Sequence, residues 1–298
     1  MTFDPFDDFE TRGYLRNVAG QKDPDIIKRL EHNSFLTGVD EAFENLARIE
    51  RLTYRDVLAT HKTLFEAVYP WAGQDRAQSA PDKAVSRGSV FFAHPNDIKA
   101  AVDHALNMGQ VRALMAAKAG EVMGYLAYGH PFLDGNGRTI MVVHTELAQQ
   151  AGFSIDWAAT DKAAYLTALT KELERPGKGI LDAYLKPHVR PAIGRERLAS
   201  HVAGLSGIDG NPGEPASVNE VLGTFSDPAL QARYRHQQQQ RGESGHSESR
   251  ELPATAQTLS PAEQAIPAAG SSARDSADNA PALEPPSGRP PRGRGGRG

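Results

Sequence analysis

The sequence predicts an all-α chain with one small β-hairpin, followed by a largely disordered C-terminal tail. Apolar residues recur at helical spacing up to about residue 188. Plausible strands are confined to residues 77–93, where a polar turn precedes GSVFFA. After about residue 204 the chain is rich in Pro, Gly, Ser and Gln. Such a composition buries too little apolar surface to offset the entropy lost on ordering.

The predicted helices follow one another along the front part of the chain. The first, at 24–32, has Pro24 in its first turn and Asp23 as its cap. The second, at 53–69, opens with Thr53 and carries an apolar stripe. Similar patterns predict five more helices, at 94–109, 112–128, 139–150, 158–173 and 180–185.

These elements predict two regions. A folded domain is expected at 1–200, with its core at about 10–190, and a low-complexity tail at 204–298. A short helix within the tail, around 218–234, is a further expectation.

The composition excludes several classes of function. The 298 residues contain no cysteine, which excludes disulfides, thiolate zinc sites and cysteine nucleophiles. No apolar run approaches the roughly 20 residues of a membrane span, and the acidic start MTFDPFDDFE does not resemble a Sec signal. The net charge of −4 argues against a nucleic-acid partner.

The segment HPFLDGNGRT, at 130–139, is polar and flexible and lies between two predicted helices. It does not fit a calcium EF-hand, because Arg138 and Thr139 occupy the fifth and sixth loop positions. The chain contains no GxxxxGK[ST] phosphate loop and no HExxH zinc motif. An anion site therefore remains as the chemical interpretation.

The residues of this segment suit an anion site. Its glycines precede a helix predicted to begin near Thr139, whose first N–H groups attract anions. Arg138 adds a planar, doubly donating cation, and Asp134 is a suitable Mg²⁺ ligand. His130, with an ordinary pKa of about 6.5, suits a general base. Together they indicate phosphoryl or nucleotidyl transfer, although Gly-Asn-Gly between helices is also typical of a simple turn.

HPFLDGNGRT resembles the signature of the Fic family, HxFx(D/E)GNGRxxR. YPWAGQDR, at 69–76, and FFAHPNDI, at 91–98, resemble the segments on either side of that family's β-hairpin flap. GYLRNVAGQKDPDIIKRLEH, at 13–32, resembles the entry to the domain. The likeness covers about 10–190. It implies an all-α Fic fold with a small β-hairpin flap, and transfer of AMP from ATP to a Ser, Thr or Tyr hydroxyl of a target protein.

The resemblance also implies a role for each residue of the signature. His130 would take the proton of the hydroxyl, Asp134 would hold Mg²⁺ on the α- and β-phosphates, and Arg138 would hold the β-phosphate. Three residues would form the anion hole: Gly135, Asn136 and Gly137.

Two residues of the signature, Pro131 and Phe132, would be structural, with Phe132 packing the loop against the core. The flap, at roughly 77–92, would bind the target chain by strand-like pairing. Its polar side chains are expected either to touch nucleotide or target or to lie in a solvated turn; they are Lys83, Arg87 and Ser89.

The sequence departs from the family at position 141, where Met141 replaces the second arginine of the signature. In the family that arginine helps to hold the γ-phosphate end of the nucleotide. Three alternatives follow: adenylylation with reduced affinity, transfer of a different phosphate-containing group, or a nucleotide-binding adaptor without turnover.

Regulation and location are also suggested only by the resemblance. The family's inhibitory motif [S/T]xxxE[G/N] is not evident, and SVNEVLG has Glu220 in the wrong register. A small antitoxin could supply the inhibitory helix. A bacterial toxin acting in the cytoplasm, or an effector secreted into a host or recipient cell, fits the resemblance.

Five histidines outside the signature are expected to be ordinary core or surface residues, since a lone histidine is seldom a ligand. They are His32, His61, His94, His104 and His144.

Overall fold

The computed structural model describes residues 15–87, 90–205 and 220–246. The described part is mainly helical with a few short antiparallel strands, which confirms the predicted fold class. The helices and strands follow the chain in this order: α1 (Pro24–Ala47), α2 (Tyr54–Phe65), α3 (Arg76–Ser79), β1 (Lys83–Arg87), β2 (Val90–Phe91), α4 (Ile98–Gly109), α5 (Arg112–Ala117), α6 (Ala119–Gly129), α7 (Asn136–Ala151), β3 (Phe153–Ile155), α8 (Lys162–Glu174), α9 (Ile180–Leu185), β4 (Val189–Pro191), α10 (Leu198–Ala203), β5 (Glu220–Thr224) and α11 (Pro228–His246).

Helix α7 lies at the centre of the bundle. Residues 139–148 are buried without interruption, so the helix is covered on all sides. It ends where predicted, with Gly152 in the left-handed conformation at φ 93°. Its start, however, is Asn136 and not the predicted Thr139. The reason is Gly135, whose φ of 75° turns the chain into the helix three residues earlier.

The predicted caps of the first two helices are present. The Asp23 carboxylate accepts hydrogen bonds from the N–H groups of Asp25 and Ile26. Asp56 accepts from the N–H of Thr53 at 2.7 Å. Helix α1 extends well beyond the predicted 24–32, because its buried face continues to its last turn.

One predicted helix is divided. The prediction of a continuous helix at 112–128 is wrong because the chain breaks at Lys118, between α5 and α6. Asp182 from α9 caps the new helix start, accepting from the N–H groups of Gly120 and Glu121 at 2.6 and 3.1 Å. This contact is long-range in sequence, so local periodicity could not reveal it.

The strands form two small sheets. In one, β1 is central and pairs antiparallel with β2 and with β5; in the other, β3 pairs antiparallel with β4. The hairpin expected at 77–93 is therefore present, but it is not the only place with strands.

Part of the predicted tail is also folded. Within 204–298, residues 220–246 form β5 and the long helix α11, where at most a short helix was expected. This stretch contains few apolar residues, and it contacts both strands of the flap. Residues 206–219 and 247–298 lie outside the described ranges.

The core is one apolar cluster shared by all the main helices. Its largest fully buried side chains include Trp71, Phe35, Phe65 and Phe132. None of the helices in the described ranges is long and apolar enough to span a bilayer.

Candidate active site

Residues 130–138, here called the motif loop, comprise the connection from α6 to α7 and the first residues of α7. The loop begins at His130, which closes α6 in a left-handed conformation, φ 41° and ψ 58°. Among the described residues, His130 is the one non-glycine residue with positive φ. This conformation costs a side-chain-bearing residue about 1–2 kcal/mol. Backbone strain of this kind clusters at functional positions.

The ring of His130 is buried and held on two sides. It stacks on Phe92 with the ring centroids 3.7 Å apart, and its Nε2 lies 3.1 Å from Asn136 Nδ2. Asn136 Oδ1 accepts from the Phe132 N–H at 2.9 Å, which fixes the orientation of the amide. Asn136 Nδ2 then donates both to Phe132 O, at 2.7 Å, and to the His130 ring. Nε2 of His130 is therefore an unprotonated acceptor.

Burial lowers the pKa of His130 well below its ordinary value, and the positive charges of Arg76 and Arg87 add to the effect. The imidazole is therefore neutral at pH 7, the form that a general base requires.

Arg76 ties the motif loop to the end of the flap. This buried guanidinium donates through Nε to His130 O and through Nη2 to Ala93 O, each at 2.8 Å. The Arg76 N–H also donates to Pro131 O at 2.7 Å. Burial lowers the pKa of Arg76 to about 10, so the side chain remains charged at neutral pH. Arg76 ends the YPWAGQDR segment, but its role in holding the loop was not visible from the sequence.

His61 supports the loop from the core. Its ring stacks on Phe132 at 3.7 Å, and its Nδ1 accepts from the Gly73 N–H at 2.9 Å. Nε2 therefore carries the proton and donates to Asp134 O at 3.0 Å. Burial lowers the pKa of His61 to about 3, so it is neutral. His61 is a core histidine, as expected, although one that shapes the site.

The two glycines of the loop differ in their surroundings. A Cβ on Gly135 would lie 2.6 Å from Phe65 Cε2, whereas a Cβ on Gly137 would meet nothing within 4 Å. Gly137 lies in the first turn of α7, and Gly135, the residue before this helix, provides no side-chain cap. Gly137 is exposed at this helix start, and the first N–H groups of a helix have no partner within it, so the position suits an approaching anion.

Arg138 lies beside this helix start and is held by α1. Its Nη2 donates to Glu31 Oε2 at 2.9 Å, and its guanidinium lies 5.3 Å from the centre of the Phe65 ring. Nη1 of Arg138 is buried and has no hydrogen-bond partner among the described residues. Tyr69 donates to the other oxygen of Glu31. Sequence inspection missed Glu31, since a lone glutamate within a helix has no distinguishing signal.

Asp134 lies next to this pair. Burial and the nearby negative charge of Glu31 raise the pKa of Asp134 to about 7. A bound cation would relieve the repulsion between the two carboxylates. The described residues include no cluster of three or more His, Cys, Asp or Glu side chains suited to a metal. A cation here would therefore take its other ligands from phosphate oxygens and water, as Mg²⁺ commonly does.

The flap residues predicted to contact ligands are only partly brought to the loop. Arg87 is half-buried at the end of β1, and its charge acts on His130. Lys83 begins β1 and pairs in register with Thr224. Ser89 lies outside the described residues.

Met141 is buried in the apolar cluster of the bundle. Position 141 thus adds packing and no positive charge to the site. Pro131 and Phe132 are buried as well.

The motif loop thus brings together a neutral histidine acceptor, an exposed helix start and an arginine held by a carboxylate. Residues 51–148 match the Fic/DOC family, and the chain contains a domain of this family. The resemblance seen in the sequence is thereby confirmed.

Two curated relatives overlap with about half of the chain. Protein adenylyltransferase VbhT of Bartonella schoenbuchensis is 31% identical over 168 residues, 53% of this chain and 34% of VbhT. Probable protein adenylyltransferase y4lH of Sinorhizobium fredii is 29% identical over 167 residues, 53% of this chain and 82% of y4lH. The matched part thus spans about a third of VbhT and most of y4lH.

The fold is similar to that of the BepC protein of Bartonella tribocorum, a VirB-translocated effector crystallised with bound AMPPNP. The TM-score is 0.52 at 20% identity, and the match covers 65% of this chain and 100% of the BepC chain.

Proposed function

We propose that the protein transfers AMP from ATP to a Ser, Thr or Tyr hydroxyl of a target protein. The observation that carries the proposal is the neutral His130, whose unprotonated Nε2 lies beside the open start of α7. The relatives named protein adenylyltransferase support the same reaction.

Each residue of the motif loop would have its own role in the reaction. His130 Nε2 accepts the proton of the target hydroxyl and becomes an imidazolium. The hydroxyl oxygen forms a bond to the α-phosphorus, the bond from that phosphorus to the bridging oxygen breaks, and pyrophosphate leaves. The N–H groups at the start of α7, around Gly137, receive the phosphate oxygens. Arg138, whose guanidinium Glu31 orients, holds the β-phosphate.

Asp134 would hold Mg²⁺, with Glu31 next to it. When bound, this ion neutralises part of the phosphate charge. Asp134 presents a hard oxygen ligand, and burial together with the negative charge of Glu31 raises its pKa, so a cation here would stabilise the carboxylate.

Met141 favours a second candidate function. Because the side chain at 141 is apolar and buried, the γ-phosphate end of a triphosphate lacks one expected cationic contact. A nucleotide-binding adaptor without turnover would tolerate this loss. Transfer of a different phosphate-containing group is a third candidate, since a shorter donor would not need the contact.

The test compares donors and variants. Purified protein and cell lysates are incubated with Mg²⁺ and ATP labelled at either the α- or the γ-phosphate, and then with other nucleotides. We expect an α-label on a protein band that is lost in His130→Ala. A γ-label alone would indicate a kinase.

Met141→Arg is the matched variant for the adaptor alternative. Increased α-label with Met141→Arg would show that the site is competent but weak for triphosphates. Nucleotide binding without label in both forms would favour the adaptor.

The same likeness bears on location and regulation. We propose a toxin or effector role, either in the cytoplasm or after transfer into another cell, because BepC is a translocated effector. A small antitoxin that supplies an inhibitory helix is the proposed regulator.

A further inference from the structure

The two strands of the flap are the elements on which a target chain would register, so their edges decide what can bind. One edge belongs to β1, which is paired with β2 on its other side. In the structure this edge is occupied by β5 of the same chain, with Lys83 opposite Thr224 and Ser86 opposite Glu220. The main-chain groups that a target strand would use are therefore already paired.

The other flap strand is occupied by a side chain. Gln237 Oε1 accepts from the N–H of Phe91, and Gln237 Nε2 donates to Phe91 O, each at 2.8 Å. One glutamine thus satisfies both main-chain groups of Phe91, as an added strand would. Tyr234 binds the segment that follows the flap: its hydroxyl accepts a hydrogen bond from the His94 N–H at 2.9 Å.

Packing holds the same segment on the flap. Phe225 and Leu230 form a small buried cluster with Ala84 and Phe91. Farther along α11, the guanidinium of Arg241 lies 3.6 Å from the centre of the Tyr128 ring and donates to a main-chain carbonyl of α8.

The contacting residues of α11 lie on one face of the helix. Leu230, Tyr234, Gln237 and Arg241 are three or four positions apart, so they fall on one stripe. Most other residues of α11 are exposed. The cluster under this stripe is separate from the main core and far smaller. Such a segment can leave the flap without unfolding the bundle.

We propose that residues 220–246, here called the strap, are an internal occupant of both flap edges, and that a target binds by displacing them. The partner that fits is an extended polypeptide segment that pairs antiparallel with β1. This inference rests on the proposed function, in which the flap positions the hydroxyl-bearing chain beside His130.

The test uses the full chain with a release variant, Leu230→Asp with Gln237→Ala, which removes one apolar and one polar contact of the strap. Gln239→Ala is the matched control, because Gln239 is exposed on the same helix. Tyr234→Phe is a milder second variant, which deletes only the hydroxyl that accepts from His94.

The first readout is hydrogen exchange. In the release variant, the amides of β1 and Phe91 should exchange at least about tenfold faster than in the control, with unchanged exchange in α7. Equal exchange in both would show that the strap does not protect the flap, and would overturn the proposal.

The second readout is binding of a fluorescent peptide of residues 220–246, measured by anisotropy. The release variant should bind this peptide at least about tenfold more tightly than the control, because its flap edges are open. Equal affinities would contradict the proposal whatever the labelling assay shows.

The third readout is transfer of α-label to lysate proteins. We expect about threefold to tenfold more label with the release variant, and a smaller gain with Tyr234→Phe. If the release variant exchanges faster but transfers no more label to lysate proteins than the control does, the strap does not compete with targets. If the peptide binds but nothing is labelled, the proposed AMP transfer fails while the flap edges stand as a binding surface.

Discussion

The motif loop and the flap touch each other at the stacked rings of His130 and Phe92, yet they are held by different kinds of contact. The loop is fixed from inside the bundle, by buried polar side chains that bond to its main chain. The flap is held by the strap, through strand pairing with β1 and side-chain bonds to Phe91. The bundle therefore fixes the motif loop, whereas the strap covers the edges of the flap.

Arg76 should show the largest effect, because it holds the loop and the flap exit at once. Arg76→Ala leaves the buried carbonyls of His130 and Ala93 without their donor. We expect a loss of about 3–5 kcal/mol in the free energy of unfolding, typical of breaking a buried charged contact. Urea denaturation measures it, with the exposed Arg55→Ala as control. A loss below about 1 kcal/mol would show that the loop does not depend on this contact.

Substitutions at the two glycines of the motif should affect stability and ATP binding differently. Gly135→Ala places a Cβ 2.6 Å from Phe65 Cε2 at a positive φ, so we expect a loss of about 2–4 kcal/mol. Gly137→Ala has open space and lies in a helix, so stability should stay level or rise by up to about 1 kcal/mol. The added methyl group at 137 should still weaken ATP binding in calorimetry, because it covers the proposed phosphate approach. Equal losses in the free energy of unfolding for Gly135→Ala and Gly137→Ala would contradict the expected difference between the two positions.

Lowering the pH should reduce the free energy of unfolding more through a buried histidine of the bundle than through a histidine beside the flap. His144, on α7, is fully buried, bonds to Ala119 O, and has its pKa lowered to about 4 by burial. A histidine with a lowered folded pKa stabilises the fold above its unfolded pKa of about 6.5, and this contribution is lost as the pH falls toward 4. Between pH 7 and 4.5, the wild type should lose about 2–3 kcal/mol more stability than His144→Gln.

The control for this pH series lies on the flap side. Burial also lowers the pKa of His94, but His94 is only partly buried. His94→Gln should therefore change the pH dependence of unfolding less than His144→Gln does. If His94→Gln changes the pH dependence more than His144→Gln does, the group responsible for the loss of stability in acid lies beside the flap.

The sequence predicted most of the loop because its residues are contiguous. His130, Asp134 and Arg138 fall within one short motif, and the helices on both sides have clear apolar periodicity. What supports the loop is spread over the chain: Glu31, His61 and Arg76 act through contacts more than 50 positions distant in sequence. No local pattern identifies such partners.

The strap was missed for a different reason. Its composition is typical of disorder, and its docking stripe consists of Tyr, Gln and Arg with a single leucine. Gln237 and Tyr234 bond to main-chain groups of the flap and of the segment after it, Leu230 packs against the flap, and Arg241 contacts the bundle. A composition rule measures apolar content and cannot register a partner of this kind.

The smallest predicted effect concerns Glu31, which joins the loop to α1. Glu31→Gln keeps an oxygen that can accept from Arg138 but removes a negative charge beside the proposed phosphate site. Because like charges repel more strongly in a partly buried site, ATP without Mg²⁺ should bind about threefold to tenfold more tightly.

Calorimetry with ATP measures this change, and Glu44→Gln, exposed on the same helix, is the control. Glu31→Ala should instead weaken binding, since the guanidinium of Arg138 then loses the acceptor that orients it. If Glu31→Gln also weakens binding, the hold of the carboxylate on Arg138 outweighs its repulsion of the phosphates. In that case Glu31 acts chiefly as a positioning residue, and the preorganisation of the loop extends as far as α1.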